Sequence, residues 1–96
     1  MGSVASFIEE RRRELHRLME GALLHVGVRE YDVGVTKRRG VDVYDPEEPL
    51  FIVKADTSVE VDDEMLGFIV ENFRNRGYEV KHTTKKGLRL LMLILV

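Results

Sequence analysis

Two short basic segments contain the residues whose types and spacing are best suited to chemistry, because cationic side chains can neutralise phosphate groups. Each segment comes directly before a glycine, which is typical of a hairpin tip. Two further cations lie on the strands predicted beside the second tip. The full candidate set for nucleic-acid binding is Lys37, Arg38, Arg39, Lys81, Lys85, Lys86 and Arg89. A hairpin tip fits the width of a nucleic-acid groove, so these residues predict contacts with backbone phosphates.

A structural explanation of the basic segments stays open. Charged hairpin tips also keep a protein soluble and discourage pairing between sheet edges. The net charge of the chain is −2, whereas dedicated nucleic-acid-binding domains are usually basic. The charge is nevertheless unevenly distributed: residues 42–64 contain nine acidic residues and one basic residue, and residues 65–96 contain two acidic and six basic residues.

The elements that position these residues follow from the periodicity of the apolar side chains. Apolar residues at helical spacing predict amphipathic helices over residues 6–25 and 62–76. Asp62 is the expected N-cap of the second helix, and Gly27 and Gly77 end the two helices. Apolar runs predict strands at residues 31–37, 41–44, 50–56, 78–84 and 88–96. The sequence therefore predicts one α+β domain over residues 1–96, with a mixed five-stranded sheet, two helices and the order α-β-β-β-α-β-β.

This order predicts where the two basic segments lie. Three consecutive antiparallel strands make the first and third run in the same direction, and a right-handed crossover through the second helix makes the fourth strand parallel to the third. The ends of these three strands then share one edge of the sheet. We therefore expect both basic segments to lie at this common edge, which would bring together Lys37, Arg38, Arg39, Lys85 and Lys86. The acidic loop of residues 45–49 is expected at the opposite edge.

The alternation of side chains assigns the two faces of the sheet. If Phe51, Val53 and Ala55 face the helices, then Lys54 and Asp56 face away from them. The last strand is apolar on both sides, which predicts a central strand with a cover on each side. The second cover is either the other helix or a partner subunit. Because the chain ends at this strand, we predict a homo-oligomer or a subunit of a larger complex.

Two segments resemble motifs of the PD-(D/E)xK nuclease superfamily, which includes restriction enzymes and archaeal Holliday-junction resolvases. Gly40-Val41-Asp42-Val43 is similar to the second-strand motif, and Leu50-Phe51-Ile52-Val53-Lys54-Ala55 is similar to the third-strand motif. The element order α-β-β-β-α-β is also that of the superfamily. The resemblance implies a nuclease in which Asp42 and Lys54 belong to the group that places a divalent ion, Mg²⁺ or Mn²⁺, beside the scissile phosphate.

The third-strand motif departs from the pattern of the superfamily. Ile52 occupies the position of the second acid, and one Asp with one Lys does not supply the several anionic oxygens that Mg²⁺ requires. Asp56 shares a face with Lys54 and is a candidate replacement for that acid. The first helix offers further acids, which are Glu9, Glu10 and Glu14. Alternatively, Asp42 and Lys54 form a cross-strand ion pair on an exposed face.

Other kinds of site find no support in the sequence. Cysteine is absent, which excludes disulfides, thiolate nucleophiles and Cys-based zinc sites and fits a cytoplasmic protein. His16 and His25 point to different sides of a helix, so we predict no metal site and no cofactor. The longest apolar run, residues 90–96, is far shorter than the ~20 residues that a membrane-spanning helix needs.

From these observations we predict a small non-catalytic binding module with nucleic acid as its leading partner. One alternative is a metal-dependent nuclease, or its inactive relative, that uses Asp42, Lys54 and Asp56 with Mg²⁺ or Mn²⁺. The other alternative is a purely structural oligomerisation protein.

Overall fold

The structure, a computed structural model, describes residues 3–37 and 50–95, with side chains from residue 6 onward. Two helices, α1 (Ser3–His25) and α2 (Asp63–Asn75), are combined with four strands. The strands are β1 (Tyr31–Lys37), β2 (Leu50–Thr57), β3 (Glu79–Lys86) and β4 (Arg89–Leu95), and the order is α1-β1-β2-α2-β3-β4. The predicted α+β class and the two helices are confirmed. Neither helix, over its described residues, is long and apolar enough to cross a membrane.

Helix α2 has the two caps that the sequence predicts. The side chain of Asp62 accepts a hydrogen bond of 2.8 Å from the backbone N–H three residues later. At the other end, Gly77 has a φ of 87°, a left-handed conformation that favours glycine. The chain then folds back, so that the N–H of Tyr78 donates to the carbonyl of Phe73 at 3.2 Å. Helix α1 ends on Gly27 in the same way.

The four strands form one antiparallel sheet in the order β1-β2-β4-β3. Strand β4 is therefore central, as predicted. The predicted mixed five-stranded sheet is wrong, because the described residues form four strands and each neighbouring pair is antiparallel. The crossover through α2 does make β3 run in the same direction as β2, but β4 lies between them. The predicted strand at residues 41–44 lies outside the described residues.

The core lies between the sheet and the two helices, which pack on the same face. The predicted orientation of Phe51, Val53 and Ala55 towards the helices is confirmed, since all three are fully buried. The larger fully buried side chains are Leu15, Met19, Leu23, Phe51, Ile69, Phe73, Leu90, Met92 and Ile94. Burying each of these stabilises the fold by roughly 2 kcal/mol.

The predicted convergence of the two basic segments is wrong. Strand β1 pairs directly with β2 in the antiparallel sense, so Lys37 lies beside the start of β2. Lys86 pairs with Arg89, which pairs with Asp56 near the far end of β2. The sequence predicted one strand between β1 and β2, which would make β1 and β2 run in the same direction. Because β1 is instead the direct antiparallel neighbour of β2, the two strands run in opposite directions. Lys37 and Lys86 therefore lie at opposite ends of the sheet, and Leu50, which follows the acidic loop, lies at the Lys37 end.

Candidate functional site

The sheet face turned away from the helices has no cover among residues 6–37 and 50–95, and we call it the open sheet face. It takes alternate side chains from all four strands. Its residues are Asp32, Gly34 and Thr36 of β1; Leu50, Ile52, Lys54 and Asp56 of β2; Arg89, Leu91, Leu93 and Leu95 of β4; and Glu79, His82, Thr84 and Lys86 of β3. The strand pairing aligns these residues in rows that run across the sheet.

On the two central strands, the open sheet face is apolar from its middle to the end opposite Asp56, except at Lys54, which pairs with Leu91. Ile52 pairs with Leu93, and Leu50 pairs with Leu95, on the two central strands. Leu91 extends this group and retains 36% of its maximal exposure. The other four side chains are partly exposed. Contiguous apolar surface of this kind on the outside of a protein commonly marks an interaction site.

One end of the open sheet face carries a row of four charged residues. In spatial order across the sheet, this charged row is Asp32, Asp56, Arg89 and Lys86. Arg89 donates from Nε to Oδ1 of Asp56 at 2.7 Å and from Nη2 to Oδ2 at 3.4 Å. The hydrogen bond from Arg89 lowers the pKa of Asp56, and the same bond raises the pKa of Arg89. Across the sheet, the first two side chains of the charged row are therefore negative and the last two are positive.

The structure brings together two of the three residues of the nuclease alternative. Lys54 Nζ lies 3.7 Å from Oδ2 of Asp56, and both side chains are on the open sheet face. Asp56 is also engaged by Arg89. Asp42 lies outside the described residues, so the nuclease interpretation stays a prediction. Among residues 6–37 and 50–95, no group of three or more His, Asp or Glu side chains is arranged to hold a metal ion.

The expected approach of acids from α1 is wrong. Helix α1 packs on the core side of the sheet, whereas Lys54 and Asp56 project from the opposite side. Two of the three candidate acids of α1, Glu9 and Glu14, instead pair along their own helix. Glu9 pairs with Arg12 and Arg13, and Glu14 pairs with Arg11. These carboxylates therefore belong to the solvated surface of the helix.

The candidate phosphate-binding residues are dispersed. Lys37 is exposed at the end of β1, and Arg38 and Arg39 lie outside the described residues. Lys81 pairs with Glu79 at 3.2 Å. Arg89 is held by Asp56 in the charged row. Within the described residues, the structure does not gather these cations into one basic surface.

The two lysines of the β3–β4 hairpin have different environments. Lys85 projects to the helix side, where its Nζ donates to the carbonyl of Val61 at 2.7 Å and lies 3.5 Å from Oδ1 of Asp63. It therefore fixes the segment that leads into α2. Lys86 is exposed on the open sheet face and has no ion pair among the described residues.

A concave surface between the two helices was not predicted. It has a volume of about 540 Å³ and is lined in part by Arg17, His25, Phe68 and Arg76. The rings of His25 and Phe68 stack with their centroids 4.5 Å apart. The sequence contains no signal for this contact, because the two residues belong to different helices and meet only through tertiary packing.

The sequence did not predict the charged row. The alternation of β1 places Asp32 on one side of its strand, and that signal was visible. Its alignment with Asp56, Arg89 and Lys86 depends on the register of three strand pairs. No sequence pattern supplied that register.

Comparisons of the chain with protein-family models, with curated proteins and with solved structures find no match.

Proposed function

We propose that the chain is a non-catalytic oligomerisation module that binds a further copy of itself through the open sheet face. One observation carries this proposal: five apolar side chains lie together on the two central strands of a sheet face that no described element covers. They are Leu50, Ile52, Leu91, Leu93 and Leu95. Removing apolar surface from water contributes about 25 cal/mol per Å², which supplies the driving force for association.

The dimensions of the open sheet face suit a modest interface. Four strands about 4.8 Å apart and about 3.3 Å per residue along each strand give a face of roughly 19 by 23 Å. Two such faces in contact approach the order of 1,000 Å² of buried surface, near the lower limit for a specific interface. We therefore expect an oligomer that dissociates on dilution.

The absence of cysteine permits a direct test of this association. A Leu91→Cys variant introduces a single thiol on the open sheet face, and a matched Leu88→Cys variant introduces one in the β3–β4 turn, where Leu88 is 51% exposed. We expect the rate of thiol labelling at position 91 to fall as the protein concentration rises from about 1 μM to about 1 mM. The rate at position 88 should not change.

A second measurement separates association from misfolding. Leu93→Lys places a charge in the middle of the open sheet face without opening a cavity in the core. The particle mass from light scattering should fall to that of the monomer, while the far-ultraviolet circular dichroism stays unchanged. A wild-type chain that remains monomeric to about 1 mM contradicts the proposed function. A dissociation constant of about 1 mM corresponds to a binding free energy of only about −4 kcal/mol.

Nucleic-acid binding is a second candidate function, and one observation favours it. Lys86 is exposed at the tip of the β3–β4 hairpin and makes no ion pair among the described residues. It is therefore free to contact a phosphate, whereas Lys81, Lys85 and Arg89 have partners within the chain.

The test of the second candidate is the salt dependence of binding to a duplex and to a single strand. If Lys86 contacts a phosphate, Lys86→Ala should reduce the slope of log K against log salt by about 1. Lys81→Ala is the matched control, because its ammonium is paired with Glu79. No retention of either nucleic acid at low salt excludes this candidate.

A further inference from the structure

We infer that two copies pack their open sheet faces about a two-fold axis that runs along the strands between β2 and β4, so that Asp32 of each copy meets Lys86 of the other. This inference rests on the proposed function and specifies its geometry.

The charged row is self-complementary about the line between β2 and β4, which we call the seam. Its order is Asp32, Asp56, Arg89 and Lys86, with two acids on one side of the seam and two bases on the other. A two-fold axis parallel to the strands at this seam exchanges the two sides of each row. Asp32 then faces the partner's Lys86, and Asp56 faces the partner's Arg89. A two-fold interface requires this kind of self-complementarity.

The apolar rows obey the same symmetry. The axis places Ile52 against the partner's Leu93 and Leu50 against the partner's Leu95, so aliphatic side chains meet in both rows. In a third row, Gly34 faces the partner's Thr84, and Lys54 faces the partner's Leu91. The ammonium of Lys54 lies 3.7 Å from Oδ2 of Asp56, so its charge is paired with the charged row while its aliphatic stem contacts the leucine. Stacked sheets pack about 10 Å apart and rotated by about 30°, and long Arg and Lys side chains can follow that rotation.

The other axis within the interface, perpendicular to the strands, is unfavourable. It exchanges the two ends of the sheet, which places Asp56 against the partner's Leu50 and Arg89 against the partner's Leu95. Burying charged groups against aliphatic side chains carries a large desolvation cost. Among the described residues, only Lys86 would then meet an opposite charge, the partner's Glu79.

Within residues 6–37 and 50–95, the charges of Asp32 and Lys86 have no partners. Neither residue takes part in an ion pair among the described residues, and both are exposed. They lie on the two edge strands, three strand spacings or roughly 14 Å apart, so they cannot meet within one copy. The proposed axis supplies each of them with an opposite charge.

Charge reversal at these two positions tests the axis. Asp32→Lys creates two repulsive contacts per dimer, because the substituted lysine then faces the partner's Lys86, and Lys86→Glu does the same with Asp32. We expect each variant alone to self-associate roughly tenfold more weakly than the wild type. An equimolar mixture of the two variants should form a heterodimer with nearly wild-type affinity, because both of its edge contacts are again attractive. Sedimentation velocity and native mass spectrometry measure the masses and the composition.

The outcomes separate the inference from the proposed function. Restored association in the mixture, with Lys81→Glu unchanged as the control, supports the axis along the strands. Dimers that Leu93→Lys abolishes but that the mixture of charge variants does not restore overturn this axis and leave the oligomerisation function intact. A wild-type chain that is monomeric at all concentrations overturns both.

Discussion

Arg89 and Asp56 are cross-strand neighbours on β4 and β2, and their side chains form a two-point ion pair with N–O distances of 2.7 and 3.4 Å. The pair lies at the seam between the two central strands, at one end of the open sheet face. Planar guanidinium and carboxylate groups in this arrangement hold each other in a fixed orientation. The pair therefore places one positive and one negative charge side by side, where the proposed two-fold axis passes between them.

The first prediction concerns the stability of the fold at low pH. Asp56 has a pKa below its ordinary value of 3.8, chiefly because of the hydrogen bond from Arg89. A lowered folded-state pKa contributes stability that is present above the ordinary pKa and is lost as the pH falls through the lowered value. Wild type should therefore be more stable than Asp56→Asn at pH 7, and the difference should vanish towards pH 2. Urea denaturation at a fixed protein concentration measures it, and a difference that persists at low pH contradicts this account.

The second prediction concerns Lys85. Its Nζ is bound to the carbonyl of Val61, which leads into α2, and its side chain is 25% exposed. Lys85→Met keeps the aliphatic stem but removes the donor, and we expect a loss of about 1–2 kcal/mol in the free energy of unfolding. Lys81→Met is the control, because its ion pair with Glu79 is exposed and should contribute almost nothing. Equal effects of the two substitutions would exclude a structural role for Lys85.

The third prediction concerns the N-cap of α2. Asp62 accepts a hydrogen bond from the N–H of Met65, one of the amides that the helix leaves unpaired. Asp62→Ala should reduce the free energy of unfolding by about 1 kcal/mol, whereas Asp62→Asn keeps the acceptor and should be nearly neutral. If thermal or urea denaturation shows that both substitutions are neutral, the cap does not contribute to stability.

The fourth prediction concerns Tyr78. Its hydroxyl is buried and has no hydrogen-bond partner among the described residues. Burial, followed by the nearby Glu14, raises the pKa of Tyr78 to about 12. Because an unsatisfied buried hydroxyl is costly, Tyr78→Phe should leave the stability at pH 7 unchanged or raise it by up to about 1 kcal/mol.

The pKa of Tyr78 adds an alkaline test. The folded chain keeps the phenolic proton while the unfolded chain releases it above pH 10, so the wild type should lose stability between pH 10 and 12. Relative to Tyr78→Phe, the loss should reach roughly 2 kcal/mol. Parallel stability curves for the two proteins across this range would show that the hydroxyl is not buried in solution.

Local sequence signals predicted the elements of the fold well. Asp62 and Gly77 specify the two ends of α2 through hydrogen bonds that span only a few residues, and both caps are confirmed. The alternation in β2 assigned Phe51 to the core and Lys54 to the other face for an equally local reason. The candidate site was less accessible to this reasoning. Lys86 and Arg89 lie on neighbouring strands, but only the register of β3 with β4, and of β4 with β2, places them in one row with Asp56.

The sequence by itself determined the α+β class, both helices, the four described strands and the central position of the last strand, because each follows from the period of apolar residues or from a cap. The tertiary structure decided which strands are neighbours and in which direction they run. These choices depend on contacts between residues that are distant in sequence. Adding or removing one antiparallel strand reverses the direction of the strand beyond it. This is why Lys37 and Lys86 lie at opposite ends of the sheet, and why Asp32, Asp56, Arg89 and Lys86 form one charged row.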